Sequence, residues 1–169
     1  MDNFIHPTAL IADNVIMGTG NYIGPYCVIG FPPEHADYFP NSPFGVEIGD
    51  NNKITGHVTI DAGTEDDTIM GDNNFIMKRV HIGHDCDLNN NIRISPNAVL
   101  GGHTWIEDYA NIGMGAIIHQ NQTIKKGCMI GMGAIVCKNL QMDEFDTIFG
   151  NPARVIGKNT YLINKLKCE

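Results

Sequence analysis

A chain of 169 residues, 43% hydrophobic, is long enough to bury one sizeable core. Its 19 acidic residues against 11 Lys and Arg give a net charge of −8, which argues against nucleic acid or an anionic membrane surface as the main partner, because both need clustered cations. No stretch approaches the roughly 18 apolar residues of a membrane span, and MDNFIHPTAL lacks the charged and apolar regions of a signal peptide, so a cytoplasmic protein is expected.

From the N-terminus onward, aliphatic residues recur every six positions. The first run is Ile5, Ile11, Met17, Ile23 and Ile29, and a short one follows at Ile48, Ile54 and Ile60. The longest begins at Met70 and holds its phase through Ile76, Ile82, Leu88, Ile94, Leu100, Ile106, Ile112, Ile118, Ile124 and Ile130 to Val136. The residue two before is often small or apolar, as at Val46, Val58, Val80, Cys86, Ala98, Ala110 and Ala134. Positions i and i−2 share one face of a strand. The Gly, Asn and Asp residues between them favour turns. A helix would need a period of 3.6. Three strands of six residues each make one triangular coil of 18, and coils stacked about 4.8 Å apart bury the aliphatic ladders inside a prism. The fold expected is all-β, a parallel β-helix over 1–140.

Two interruptions break the period. FPPEHADYFPNSPFGVE, an insertion within 31–47, has four prolines and four aromatics, too apolar for a mere linker. DAGTEDDTI, after Ile60, carries four extra residues. Insertions in repeat proteins map to surface loops that often carry function. Residues 141–169 form a C-terminal extension ending in KNTYLINKLKCE, read as a short helix capping the open end of the prism.

The register brings chemistry together. Ile82, Leu100 and Ile118 occupy the same place in successive coils, so His84, His103 and His119 fall along one edge within roughly 10 Å. His81 lies beside them. Such a cleft suits a histidine general base with a neighbouring carboxylate, Asp85. It also suits three histidines holding Zn²⁺ and a water. Exposed polar corner residues are the bland alternative. The five cysteines include no CxxC pair, which suggests reduced thiols rather than a structural zinc site or disulfides. Ser42 and Ser95 lie in no nucleophile motif.

HIGHDC at 81–86, GGHTWIED at 101–108 and GMGAIIHQ at 113–120, with the opening IHPTALI and VEIGDNNKI at 46–54, resemble the UDP-N-acetylglucosamine O-acyltransferases of lipid A biosynthesis. The resemblance runs over about the first 140 residues. It implies a left-handed β-helix, a homotrimer with sites between subunits, and acyl transfer from acyl carrier protein to a sugar hydroxyl. By the same resemblance His84 is the general base, Asp85 its support, and Gly102 the backbone donor that polarises the thioester carbonyl. His81, His103, His119 and Gln120 line or adjoin the nucleotide-sugar site, and Met132 takes the position that limits acyl length. No metal or cofactor is implied.

Two departures stand out. The family loop reads like PQDxKY, whereas Pro33–Tyr38 puts His35 at the acid and Asp37 at the lysine. The family's large C-terminal helical region is not matched, and GNPARVIG at 150–157 looks like the ending of shorter hexapeptide acyltransferases that often acylate sugar amines from acyl-CoA. The expected activity is therefore acyl transfer from an acyl carrier protein or CoA thioester to a hydroxyl or amine of a nucleotide-linked amino sugar. The alternatives are a γ-type carbonic anhydrase-like metalloenzyme and a non-catalytic assembly subunit.

Overall fold

The computed structural model describes residues 2–168 and is a parallel β-helix with three sheets of nine, seven and six strands. Most strands are two residues long, as at His81–Ile82, Asp87–Leu88 and Arg93–Ile94, one on each face of the prism. Each pairs in parallel with the strand one coil away. Ile82 pairs with Leu100, Leu100 with Ile118, and Ile118 with Val136. Register survives both insertions, since Ile29 pairs with Ile60 and Ile48 with Met70. Extra residues leave as loops because slipping the strands would turn each buried ladder outward.

The ladder residues from Ile48 to Val136 are all buried. Each such side chain contributes about 1.5–3 kcal/mol of burial. Small residues two positions earlier leave room for the next ladder at the narrow corners. Where that position is polar, it is satisfied. Asn52 accepts from Asn74 N–H at 2.9 Å, Asn74 accepts from Ile92 N–H at 2.8 Å, and their side-chain amides donate to Gly71 and Asn89 carbonyls.

Most of the regular corner turns hold one left-handed residue. At the corner that carries the histidines they include Asp85 (φ 56°), His103 (φ 57°) and Asn121 (φ 60°). Asn, Asp and His tolerate this conformation better than other non-glycine residues.

The C-terminal extension adds strands to the helix. Asp146–Gly150 pairs in parallel with Met129–Ile130, continuing the nine-stranded sheet, and Ala153–Lys158 returns antiparallel on it. The helix is Thr160–Leu166, capped by Asn159, whose side chain accepts from Leu162 N–H. It does not sit over the end of the prism as the sequence suggested. It lies along the side, where Leu162 approaches Gly127 and Asn159 donates to the Gly127 carbonyl. The edge is covered by the returning strand, whose backbone can pair with it directly. Among the described residues, no helix is long and apolar enough to cross a membrane.

Candidate active site

His84 and Asp85 occupy the corner turn between His81–Ile82 and Asp87–Leu88. The His84 Nδ1 lies 2.5 Å from Asp85 Oδ2. An ionised carboxylate only accepts, so Nδ1 carries a proton, and in the neutral ring the lone pair is then on Nε2.

The second insertion holds that carboxylate. Asp85 Oδ1 accepts from the backbone N–H groups of Thr64, Glu65 and Asp66 at 2.8–2.9 Å. Its Oδ2 also accepts from the Thr64 hydroxyl at 2.7 Å. Burial alone would raise the Asp85 carboxyl, but these donors and the His84 ring outweigh it and hold it well below the usual carboxylate range. Asp85 is therefore a fixed anion behind His84. Gly63 begins the turn, and any Cβ there would strike the Asp66 carbonyl oxygen at 1.5 Å.

The first insertion reaches the other side of the same ring. His35 meets His84 edge to face at 5.6 Å between centroids and packs on Tyr38 at 5.1 Å. Its proximity to His84 is invisible to the period, because the loop has no register.

His103 follows one coil later at the same corner. Its ring meets His84 at 5.1 Å, edge to face, and its Nε2 lies 3.6 Å from Asp85 Oδ2. Gly102 is buried beneath the His84 ring, where an added Cβ would fall 2.6 Å from His84 Cε1. Among the described residues its backbone N–H has no protein acceptor, whereas the neighbouring Gly101 and His103 N–H groups donate to Ile118 and His84 carbonyls.

His81 stands on the adjacent face. Its Nδ1 lies 2.8 Å from Thr59 Oγ1 and its Nε2 3.8 Å from Asp61 Oδ2. Gln120 follows at the same corner, one coil beyond Gly102, and is exposed. His119 is also exposed, and its Nδ1 is engaged by the Gln120 carbonyl at 2.9 Å. The row of three histidines expected from the register thus resolves into a touching pair, His84 and His103, with His119 turned outward. Met132 lies at a different corner, between Met129–Ile130 and Ile135–Val136, and is 60% exposed.

A cleft of about 650 Å³ opens over this corner. His81, His84, Gly101 and Gly102 line it, together with Glu34, Phe39 and Asp61. One ligand atom each from His84, Asp85 and His103 lie within 4.8 Å of one another, a spacing that also suits a metal ion. The Asp85 oxygens there already accept four protein hydrogen bonds besides the one from His84. Cys86 beside them is no nucleophile, since burial, with the Asp85 charge adding, pushes its thiol up to about 12. Sequence reasoning missed Thr64, Asp61 and Glu34, and the contact of His35 with His84; the insertions or their flanks bring all of them to this corner.

A family model described as bacterial transferase hexapeptide (six repeats) matches residues 67–102. The acyl-[acyl-carrier-protein]–UDP-N-acetylglucosamine O-acyltransferase of Burkholderia vietnamiensis is 43% identical over 107 residues, 62% of this chain and 40% of that protein. The enzyme of the same name from Agrobacterium fabrum is 32% identical over 154 residues, 89% of this chain and 56% of that one. A crystal structure of a UDP-N-acetylglucosamine acyltransferase from Bacteroides fragilis superposes with a TM-score of 0.90 at 29% identity, covering 97% of this chain and 64% of that one. The chain spans about half the length of the curated relatives it matches. The chain carries the hexapeptide repeat and resembles the UDP-N-acetylglucosamine O-acyltransferases over that span.

Proposed function

We propose that the chain is an acyltransferase that moves an acyl group from a thioester of acyl carrier protein or CoA to a nucleotide-linked amino sugar such as UDP-N-acetylglucosamine. The observation that carries this reading is the His84–Asp85 pair beside the free Gly102 N–H, in one cleft. His84 Nε2 takes the proton from the acceptor as it attacks the thioester carbonyl. Asp85 stabilises the imidazolium that forms. The Gly102 N–H stabilises the oxyanion of the tetrahedral intermediate, and such donors contribute about 10²–10³ in rate. When the carbon–sulfur bond breaks, the thiolate takes its proton from His84. Direct attack requires both substrates together, which the cleft allows. The relatives' names support acyl transfer over metal-assisted hydration.

His81, His103, His119 and Gln120 contact the acceptor in this reading, and Met132 limits the acyl chain. The assembly is a homotrimer, because the cleft is open on one side and a neighbouring prism supplies the second wall. The protein acts in the cytoplasm. The test is thiol release from acyl-CoA and acyl carrier protein donors with UDP-N-acetylglucosamine and related nucleotide sugars. His84→Ala should lose about 10²–10⁴-fold in kcat while keeping its circular dichroism and melting transition. A variant with full turnover sinks the proposed role of His84.

A further inference from the structure

Asp61 ends the strand Thr59–Asp61, one coil before Gly83 at the start of the histidine corner, and pairs with Phe31 where the first insertion leaves the prism. Its side chain is largely buried, yet among the described residues no donor lies within hydrogen-bond distance of its carboxylate. The nearest partner is His81 Nε2 at 3.8 Å, too far for a hydrogen bond. Asp85, at the same corner, has five donors with His84 included. The second carboxylate of the cleft is Glu34, from the insertion, and among the described residues no Lys or Arg lines it. Burial pushes the Asp61 carboxyl up and Glu34 adds to the rise, against the pull of His81 and His84.

A largely buried carboxylate lacking donors is costly unless something fills the cleft that offers them. The complement of Asp61 and Glu34 is a cationic group with several N–H donors. A hydroxyl brings one donor and no charge. A primary ammonium brings three donors and a positive charge. Resting on the acyltransferase reading above, we propose that Asp61 selects an amine as the acceptor nucleophile, so that the chain forms an amide and not an ester. The acceptor binds as R–NH₃⁺ against Asp61. One proton leaves through His84 to solvent, and the neutral nitrogen attacks the thioester carbonyl. The carbon–nitrogen bond forms and the carbon–sulfur bond breaks. His84 carries the second nitrogen proton to the departing thiolate. The products are an amide, a thiol and one released proton, with no other reactant required.

The experiment offers UDP-sugars that differ only in carrying an amine or a hydroxyl at C2, C3 or C4, with acyl-CoA and acyl carrier protein donors, and reads thiol release. Products are then treated with alkaline hydroxylamine, which cleaves oxygen esters and spares amides. The expected result is a hydroxylamine-resistant product and a kcat/KM for one amino sugar about tenfold to a hundredfold above its hydroxyl twin. Asp61→Asn, which preserves shape, should raise KM for the amino sugar about tenfold with kcat little changed. Glu34→Gln, on the exposed loop, should move KM the same way by less. A hydroxylamine-sensitive product, or an amine preference that Asp61→Asn leaves intact, overturns the role of Asp61 and leaves acyl transfer standing. Thiol release with none of the acceptors overturns acyl transfer to nucleotide sugars and this inference with it.

Discussion

Thr64 holds both oxygens of Asp85, its backbone N–H on Oδ1 at 2.9 Å and its hydroxyl on Oδ2 at 2.7 Å. The hydroxyl competes with His84 for the same oxygen, so Thr64 governs how Asp85 is presented to the imidazole. Thr64→Val keeps the shape and the backbone donors but removes the hydroxyl. A lost hydrogen bond to a charged, buried group costs about 1.5–3 kcal/mol. Chemical denaturation should register that loss. The kcat should fall, by less than in His84→Ala, because Oδ2 still holds Nδ1. An unchanged kcat would mean that the orientation of Asp85 does not depend on Thr64.

Asp85 and Asp61 shift in opposite directions, and their effects on stability should oppose each other. An unfolded Asp titrates near about 3.9. Folded Asp85 titrates well below that, so between the two values the unfolded chain binds more protons. The stability Asp85 contributes is complete above the unfolded value and is lost as pH falls toward the folded one. Folded Asp61 titrates above the unfolded value, so its contribution is favourable at low pH and is lost as pH rises through the folded value. At pH 7 Asp61 is a cost. Asp85→Asn should therefore destabilise the protein at pH 7, and Asp61→Asn should stabilise it or leave it unchanged. Urea midpoints at pH 7 check both. A clear loss of stability in Asp61→Asn would indicate a partner for Asp61 within the protein.

Gly102 lies under the His84 ring, and a methyl there meets the imidazole at 2.6–3.0 Å. The ring must swing away from Asp85 to accommodate it. Gly102→Ala should lose at least about 10²-fold in kcat, by separating base and support, with a melting temperature close to wild type, because the corner faces the cleft and not the ladders. By contrast Leu100→Ala, two residues earlier and inside the prism, should cost about 2–5 kcal/mol. If both variants lose stability alike, Gly102 is a packing residue.

The six-residue period made the prism, its ladders and the corner of His84 and His103 legible, while Gly102 came only from the family resemblance. A solenoid repeats one local rule, so position in sequence converts directly to position in space. What stayed hidden came from segments without a period. The FPPEHADYF loop reaches His84 with His35, and the four-residue excess after Ile60 becomes the turn of donors around Asp85. Side-chain direction was hidden too. His119 follows the buried Ile118 at the right height, yet it faces solvent and engages the Gln120 carbonyl.

Met132 and His84 lie at different corners of the prism. His84 sits between the seven- and six-stranded sheets, Met132 between the nine- and seven-stranded ones. Met132 stacks above Met114, and both are exposed, making a flexible apolar edge. Within one protomer, Met132 is poorly placed to meet an acyl chain held at His84. It can do so from a neighbouring prism whose edge closes the cleft. If Met132 limits chain length, it therefore acts on the neighbour's His84. Each methylene excluded forgoes about 0.8 kcal/mol of burial, so Met132→Gly should move the optimum of kcat/KM toward longer donors. A mixed assembly separates the geometry from the length effect. Chains carrying both His84→Ala and Met132→Gly have no base of their own. Assembled with wild-type chains, they should restore long-donor turnover, because a wild-type His84 then faces a glycine at 132. Mixed assemblies with the length profile of wild type would place any ruler within the protomer, and an active monomer in sedimentation would remove the second wall altogether.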